Sequence, residues 1–260
     1  MKRLIPKLLL KRSYFGSTSR MVLVNTVNFN KIIEIGDPVS QAKIYEAQAA
    51  DELIFLDLDA RKENRGPLVE IIRQAAEVIF MPFTVGGGIN SVEDFYFLLS
   101  NGADKVSINT AAVINPDLIN TTSEIFGAQC VVISIDVRKR EDETYRVWIN
   151  GATIETELNP VNWAIEAERR GAGEILLTSV DRDGTGSGID LEITRKVCEA
   201  VSIPVIASGG CGLASHFSDG FNKGKADAVA AGTHFSFRDQ SPMQTRSHIK
   251  NSGVNIRMHT

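Results

Sequence analysis

The sequence predicts an α/β fold, a single (β/α)8 barrel with a two-fold half-barrel repeat, and three observations support this prediction. Eight short apolar runs alternate with eight amphipathic helical stretches along the 260 residues. Such alternation produces a parallel sheet, and right-handed crossovers close eight strand–helix units into a barrel. No Pro- or Ser-rich linker divides the chain, and barrels of roughly 250 residues commonly form one domain. We therefore expect one domain over residues 1–260.

The predicted strands are nearly all apolar, as expected when both faces of a strand are buried. In chain order they cover residues 3–9, 53–58, 82–85, 105–108, 130–135, 175–179, 203–207 and 226–231. Helical periodicity predicts helices at 38–50, 68–78, 92–100, 116–126, 160–170, 191–200, 213–223 and 242–252. Residues 138–158 depart from this alternation, because two β-like runs flank Asn150 and Gly151, a strong hairpin signal. We expect a β-hairpin insertion there, after the fifth strand.

Composition and charge exclude several classes of function. The 28 basic and 32 acidic side chains give a net charge of −4 with no long single-sign block, which argues against nucleic-acid binding. No apolar run reaches the roughly 18 residues that span a membrane, and the first 12 residues do not form a signal peptide, so we expect a cytoplasmic protein. The three cysteines and four histidines lack ligand-like spacing. We expect neither a metal nor a cofactor.

The chain also matches itself at an offset of about half its length. Residues 51–59 parallel residues 173–181 at an offset of 122, and Gly87-Gly88 falls over Gly209-Gly210 at the same offset. Ala103-Asp104 falls over Ala226-Asp227 at 123. A repeat of this length predicts two similar half-barrels with paired sites on one rim.

Glycine-rich or small-residue turns follow four of the predicted strands, on the rim where such barrels carry their sites. They cover residues 85–88, 183–186, 208–210 and 231–233, and Asn109-Thr110 adds side-chain donors. Glycine lets backbone N–H groups approach an anion, although it also simply makes tight turns. Two pairs of turns related by the repeat predict two facing phosphate sites. The expected ligand is therefore a small molecule with a phosphate at each end.

Carboxylates at strand ends are candidates for acid–base chemistry. Asp136 follows a purely apolar strand, which favours a catalytic role. Asp57, Asp59, Asp181 and Asp183 end the second and sixth strands. Each of these carboxylates has the alternative of capping the helix that follows, and for Asp57 and Asp181 this alternative is equally plausible.

Four charged residues of alternating sign precede strands at the opposite rim, and we call them the charged ring: Arg3, Glu52, Lys105 and Glu174. Staggered strands bring such positions together around the barrel axis. The alternative is ordinary surface charge. However, Glu52 and Glu174 are partners in the repeat, which makes a chance arrangement less attractive.

Several long motifs resemble the cyclase subunit of imidazole glycerol phosphate synthase. They include residues 51–57, 85–89, 103–113 and 173–185, and the similarity extends from Arg3 to about Phe237. The resemblance implies a (β/α)8 barrel that binds a glutaminase subunit at its N-terminal rim. Ammonia released there passes through the barrel and reacts with a bisphosphorylated nucleotide at the other face.

The resemblance also implies roles for individual residues. Asp136 matches the general acid of the family, and the four members of the charged ring match a gate to the ammonia passage. Asp104 matches a residue that docks the glutaminase, and Thr178, Asp183 and Ser208 match residues that line the pocket. One phosphate site is implied by Gly88, Asn109 and Thr110, the first turn set. The other is implied by Gly184, Gly210 and Thr233 with the adjacent Gly232, the second turn set.

The likeness fails at the catalytic rim. Leu9 stands where the family has a catalytic aspartate, and leucine neither accepts nor donates a proton. Asn25 stands where the family has a lysine that contacts the substrate. The loop at residues 11–20 is longer than the family pattern by several residues. Unaided cyclase activity is therefore not expected.

These departures match a cyclase-like paralogue of surface-polysaccharide loci, which residues 3–6, 8–11 and the tail at 237–246 also resemble. That resemblance implies ammonia delivery for the acetamidino modification of a nucleotide-linked sugar, as in O-antigen synthesis, beside a glutaminase and a third amidotransferase partner. One alternative is a true cyclase of histidine biosynthesis that uses Asp136 with Asp183 as a substitute base. Another is a non-catalytic scaffold that activates its glutaminase.

Overall fold

The structure is a computed structural model, and it describes residues 1–63, 65, 69–237 and 240–257, apart from the side chains of Phe15 and Phe237. Within these residues the strands are β1 (Arg3–Phe15), β2 (Thr18–Val27), β3 (Lys31–Gly36), β4 (Leu53–Asp57), β5 (Phe83–Gly86), β6 (Lys105–Ile108), β7 (Val131–Lys139), β8 (Tyr145–Ile149), β9 (Ile154–Glu155), β10 (Glu174–Ser179), β11 (Val205–Ser208) and β12 (Ala228–Ala231). Eight of them, β1, β4, β5, β6, β7, β10, β11 and β12, run parallel. Because β1 pairs with both β4 and β12, the sheet closes, and the predicted (β/α)8 barrel is confirmed.

Helices surround this barrel. They are α1 (Pro38–Ala47), α2 (Val69–Ala76), α3 (Val92–Ser100), α4 (Thr110–Ile114), α5 (Asp117–Phe126), α6 (Pro160–Arg169), α7 (Leu191–Ala200), α8 (Ala214–Asn222), α9 (Thr233–Phe237) and α10 (Pro242–Asn251). Local sequence explains where several of them begin. Asp37 and Asn159 accept hydrogen bonds from the first helical N–H groups of α1 and α6, each followed by proline, whose fixed φ suits the first helical turn. Ser91 and Ser241 form capping boxes at α3 and α10.

Alternate residues of each strand face different cores, since successive side chains of a strand point to opposite sides. Outward-facing side chains of the barrel strands, such as Leu4 and Leu8 of β1, join the large core beneath the helices. Inward-facing side chains form a separate apolar layer across the barrel interior: Ile5, Ile54, Val132, Leu176, Ile206, Ala228 and Ala230. This apolar layer lies between the two rims, so any molecule that crosses the barrel must pass it.

The first strand is longer than predicted. The sequence indicates a strand at residues 3–9 followed by a long loop, whereas β1 continues to Phe15 and pairs antiparallel with β2 from Leu9 opposite Val24 to Phe15 opposite Thr18. Gly16, with a φ of +61°, lies in the two-residue turn between them. β2 pairs in turn with β3. The expected loop at 11–20 is therefore the outer half of a β-hairpin that projects beyond the barrel.

Antiparallel strands also follow the fifth barrel strand. β7 pairs with β8, and β8 pairs with the short β9. The connection between β8 and β9 has four residues, 150–153, rather than Asn150 and Gly151 alone, and Asn150, Gly151 and Ala152 take left-handed φ values of +55°, +65° and +58°. The turn lies at the rim where the barrel strands end.

Some sequence predictions fall on residues that the structure does not describe. They are Leu68, at the start of the second predicted helix, and Arg238 and Asp239 of the tail. In the described part of the chain, no helix combines the length and the apolar character needed to cross a membrane.

Candidate active site

The charged ring closes the barrel interior at the end where the strands begin. Arg3 donates hydrogen bonds of 2.6 Å to both Glu52 and Glu174. Lys105 Nζ lies 3.1 Å from Glu52 Oε2 and 2.9 Å from Glu174 Oε2. Burial lowers the pKa of Arg3, but the two glutamates outweigh this effect and hold that pKa above its ordinary value. Sequence reasoning predicted that these four residues meet, and the structure brings them together in one closed ring beneath the apolar layer.

A cavity of about 620 Å³ opens at the opposite rim. Its lining includes Leu9 and Asp136 near the barrel interior and Ile32 from the projecting β-sheet. Gly151, from the turn between β8 and β9, also lines the cavity. The cavity therefore combines an apolar surface with a small number of polar groups, as is typical of small-molecule sites.

Asp136, in β7, is a buried carboxyl group that lines this cavity. Asn109 Nδ2 donates a 2.7 Å hydrogen bond to Asp136 Oδ2. Burial raises the pKa of Asp136 to about 7, because desolvation and the nearby Asp183 outweigh the opposing effects of Lys7 and Asn109. A carboxyl group with this pKa can both hold and release a proton near neutral pH, which suits general acid–base chemistry.

Asp183, the other acid–base candidate, has its carboxylate bound by two side chains of the protein. Thr26 Oγ1 donates a 2.5 Å hydrogen bond to Asp183 Oδ2, and Lys7 Nζ lies 3.8 Å from Asp183 Oδ1. Lys7 also donates a 2.8 Å hydrogen bond to Ser208 Oγ. Sequence analysis did not single out Lys7, and the signal that was available is a lone lysine within an apolar strand.

The structure gives Asp57 and Asp181 structural contacts, whereas Asp59 is buried at the lining of the cavity. Asp57 accepts two hydrogen bonds from Arg65, at 2.5 Å and 2.8 Å, and others from the backbone N–H groups of Asp59 and Ala60. Asp181 accepts one from the backbone N–H group of Lys139. Asp57 thus stabilises the turn after β4 and pairs with Arg65, and the described residues of that turn form no helix for it to cap.

The two turn sets differ in their relation to the cavity. Gly88, Asn109 and Thr110 of the first turn set line it, and Thr110 Oγ1 accepts a 3.0 Å hydrogen bond from the Asn150 N–H group. The members of the second turn set are absent from its described lining. A Cβ atom on Gly184 would lie 2.0 Å from the Thr26 carbonyl oxygen, so β2 packs directly on this turn. Among the described residues, this cavity is therefore lined by the first turn set and not by the second.

The remaining site candidates lie at both rims. Thr178 lines the cavity, and Leu9, where sequence analysis noted a missing carboxylate, lines it as well. Asn25 is buried, and its Oδ1 lies 3.2 Å from the position that a Cβ atom on Gly232 would take. Asp104 is exposed beside the charged ring and accepts a 2.9 Å hydrogen bond from the Phe83 N–H group.

A closed (β/α)8 barrel whose cavity lies where the strands end belongs to the class of barrel proteins that carry their sites on this rim. Within this class, residues 16–240 match the family model described as histidine biosynthesis protein. A protein of Prochlorococcus marinus (strain MIT 9313), with the provisional name imidazole glycerol phosphate synthase subunit hisF2, is 51% identical over 259 residues, which cover 99% of this chain and 98% of the relative. The imidazole glycerol phosphate synthase subunit HisF of Clostridium botulinum (strain Okra / Type B1) is 47% identical over 237 residues, covering 91% of this chain and 94% of the relative. The chain thus belongs to the HisF family of imidazole glycerol phosphate synthase subunits.

Proposed function

We propose that this chain is the ammonia-receiving barrel subunit of a glutamine-dependent synthase complex. The observation that carries this proposal is the order of features along the barrel axis. The charged ring stands at one rim, the apolar layer crosses the interior, and Asp136 lies in a cavity at the other rim. A glutaminase partner at the first rim, where Asp104 is exposed, would deliver ammonia to the charged ring.

The geometry suits transfer of neutral ammonia. An ion crossing the apolar layer would lose most of its hydration without meeting an opposite charge among the residues of that layer, which is costly, whereas NH₃ carries no charge. The charged ring blocks the entrance while its four contacts are intact, so transfer requires at least one of them to break. On arrival, ammonia reaches a cavity whose buried carboxyl can accept or donate a proton.

For the molecule that accepts the ammonia, the first candidate reaction is that of the imidazole glycerol phosphate synthase cyclase in histidine biosynthesis. The names of the relatives support it. In this reaction the first turn set would hold a phosphate of the substrate, and Asp136 would serve as the acid–base residue. Asp183 is the proposed second carboxylate, although its contacts to Lys7 and Thr26 limit its freedom to act as a base.

The second candidate is ammonia delivery for the acetamidino modification of a nucleotide-linked sugar, with a third amidotransferase partner. Leu9 favours this candidate, because a leucine in the cavity cannot provide the second carboxylate of a cyclase. The contact of β2 with Gly184 also favours it, since the described lining of the cavity includes only one turn set and a ligand with two phosphates needs both.

The test that separates these candidates bypasses the glutaminase. The purified chain is mixed with excess ammonium and the bisphosphorylated nucleotide substrate of the cyclase, and loss of substrate absorbance is followed. Turnover that Asp136→Asn abolishes supports the cyclase reaction. No turnover by the folded chain, with turnover gained in Leu9→Asp, supports delivery to another acceptor.

A second test addresses ammonia transfer itself, in the complex with a glutaminase. We expect Glu174→Gln and Lys105→Met to increase the ratio of glutamate formed to nitrogen transferred, because each removes charge pairs that close the ring. The matched control is Lys223→Met, an exposed lysine directly after the end of α8. Unchanged ratios in both ring variants would contradict transfer through the barrel and support the scaffold alternative.

A further inference from the structure

A lysine lies inside the barrel, directly above the apolar layer. Along β1 the inward positions alternate as Arg3 of the charged ring, Ile5 of the apolar layer, and then Lys7 and Leu9 at the cavity. Lys7 is only 5% exposed. Burying an ammonium group is costly unless it is paired and hydrogen-bonded, so the structure must provide partners for Lys7 here.

The partners of Lys7 come from other parts of the barrel. Ser208 ends β11 and accepts a hydrogen bond of 2.8 Å, whereas Asp183, in the turn after β10, lies 3.8 Å away. Neither β10 nor β11 pairs with β1, so the lysine side chain reaches across the interior. Its charge therefore stands among the strand ends that surround the cavity.

Asp136 is the group on which this charge acts. Asn109 after β6 donates a hydrogen bond to Asp136, and the charged groups that act on Asp136 are Lys7 of β1, which lines the same cavity, and Asp183 after β10. Its register partners, Thr178 of β10 and Trp148 of β8, carry no charge. Among these groups Lys7 is the cation, and Asp136 and Asp183 are the two buried carboxyl groups.

Two buried carboxyl groups in one site repel each other when both are ionised, and a cation between them relieves this repulsion. Asp183 is held by Thr26 and Lys7, and Leu9 adds no carboxyl group. Of these two carboxyl groups, Asp136 is therefore the one left available to a ligand, and any proton that it takes from a ligand it must also release.

We propose that Lys7 is a positioning residue for Asp136: by binding Asp183 and Ser208, it keeps a positive charge at the cavity that lets one carboxyl group both take up and release a proton. The role of Lys7 in catalysis depends on the proposed function, but its effect on Asp136 does not. The effect can therefore be measured in the free chain without a substrate.

The experiment is a pH titration of the Asp136 carboxyl by ¹³C NMR of aspartate-labelled protein, with the signal assigned by its loss in Asp136→Asn. We expect a midpoint near pH 7 in the wild type. In Lys7→Met, Asp136 should bind its proton at least about tenfold more tightly, because the neighbouring cation is gone. Lys7→Arg should restore a midpoint near that of the wild type.

Two further variants complete the design. Lys11→Met removes a positive charge farther along β1, outside the cavity lining, and should leave the midpoint unchanged. Asp183→Asn should lower the midpoint, since it removes a neighbouring negative charge. It is also the decisive variant if Lys7→Met does not fold.

A folded Lys7→Met with the wild-type midpoint, or an unmoved midpoint in Asp183→Asn, would overturn the proposal. Failure of ammonia transfer alone would leave this result intact and contradict only the proposed function.

Discussion

Asp136 shows at the scale of a single residue how a site can reduce the stability of the fold. The pKa of its carboxyl is about 7 in the folded chain, whereas the ordinary value is 3.8. Between these pH values the folded chain holds a proton that the unfolded chain has lost. Stability therefore falls as the pH rises through this window, and above it the cost is about 4 kcal/mol at most.

We expect Asp136→Asn to remove this dependence, because an amide does not titrate. The variant should be more stable than the wild type at pH 8, and the difference should shrink toward pH 5. Urea denaturation at pH 5, 6, 7 and 8 measures the free energy of unfolding of both proteins, with the exposed Glu141→Gln as control. A difference that does not vary with pH would contradict the raised pKa.

Residues of the site could be found from the sequence when a pattern identified them. Glu52 and Glu174 are partners in the repeat, and Asp136 ends an apolar strand, so both observations pointed to groups that the structure brings to the two ends of the barrel interior. Lys7 has no such pattern. The position and partners of its ammonium group depend on Asp183 and Ser208, which lie more than 170 residues away in sequence.

At the scale of elements, the barrel strands could be predicted because continuous apolar runs identify strands buried on both faces. The hairpin of β1 and β2 could not, since its outer half is largely exposed and carries no apolar alternation. The contact of β2 with the turn at Gly184 could not be predicted either, because it depends on where the last residues of β2 lie relative to that turn.

This contact leads to a prediction for Gly184→Ala. A Cβ atom there would lie 2.0 Å from the Thr26 carbonyl oxygen, so β2 or the turn must move. Gly16→Ala is the matched control, because Gly16 has a similar φ, +61° against +71°, with nothing within 4 Å of the added atom. We expect backbone strain to cost about 1 kcal/mol at Gly16 and at least about 2 kcal/mol more at Gly184. Equal losses in urea denaturation would contradict the close packing of β2.

At the scale of the whole molecule, the C-terminal helix is tied to the rim that carries the charged ring. Arg246 of α10 is buried and donates hydrogen bonds to the carbonyl oxygens of Ala49 and Arg257 and to Asp51. Asp51 in turn accepts a hydrogen bond from the Leu4 N–H group, beside Arg3. The two ends of the chain therefore stabilise the same part of the barrel.

We expect Arg246→Met to lower the free energy of unfolding by about 3–5 kcal/mol, because it removes the cation that faces the buried Asp51. Lys250→Met, an exposed change on the same helix, should have an effect below about 0.5 kcal/mol. Combining Arg246→Met with Asp51→Asn should recover part of the loss. If Arg246→Met and Lys250→Met had similar free energies of unfolding, the ion pair of Arg246 with Asp51 would not stabilise the barrel.

The alternation of inward and outward residues along β1 also constrains how the gene for this chain can change. A deletion or insertion of a single codon between Arg3 and Lys7 would shift every later inward position of the strand to the outward face. Leucines would then enter the barrel interior, while Lys7 would face the apolar core beneath the helices. A substitution can alter the charged ring, the apolar layer or the cavity separately, whereas a length change in this strand alters more than one of them at once.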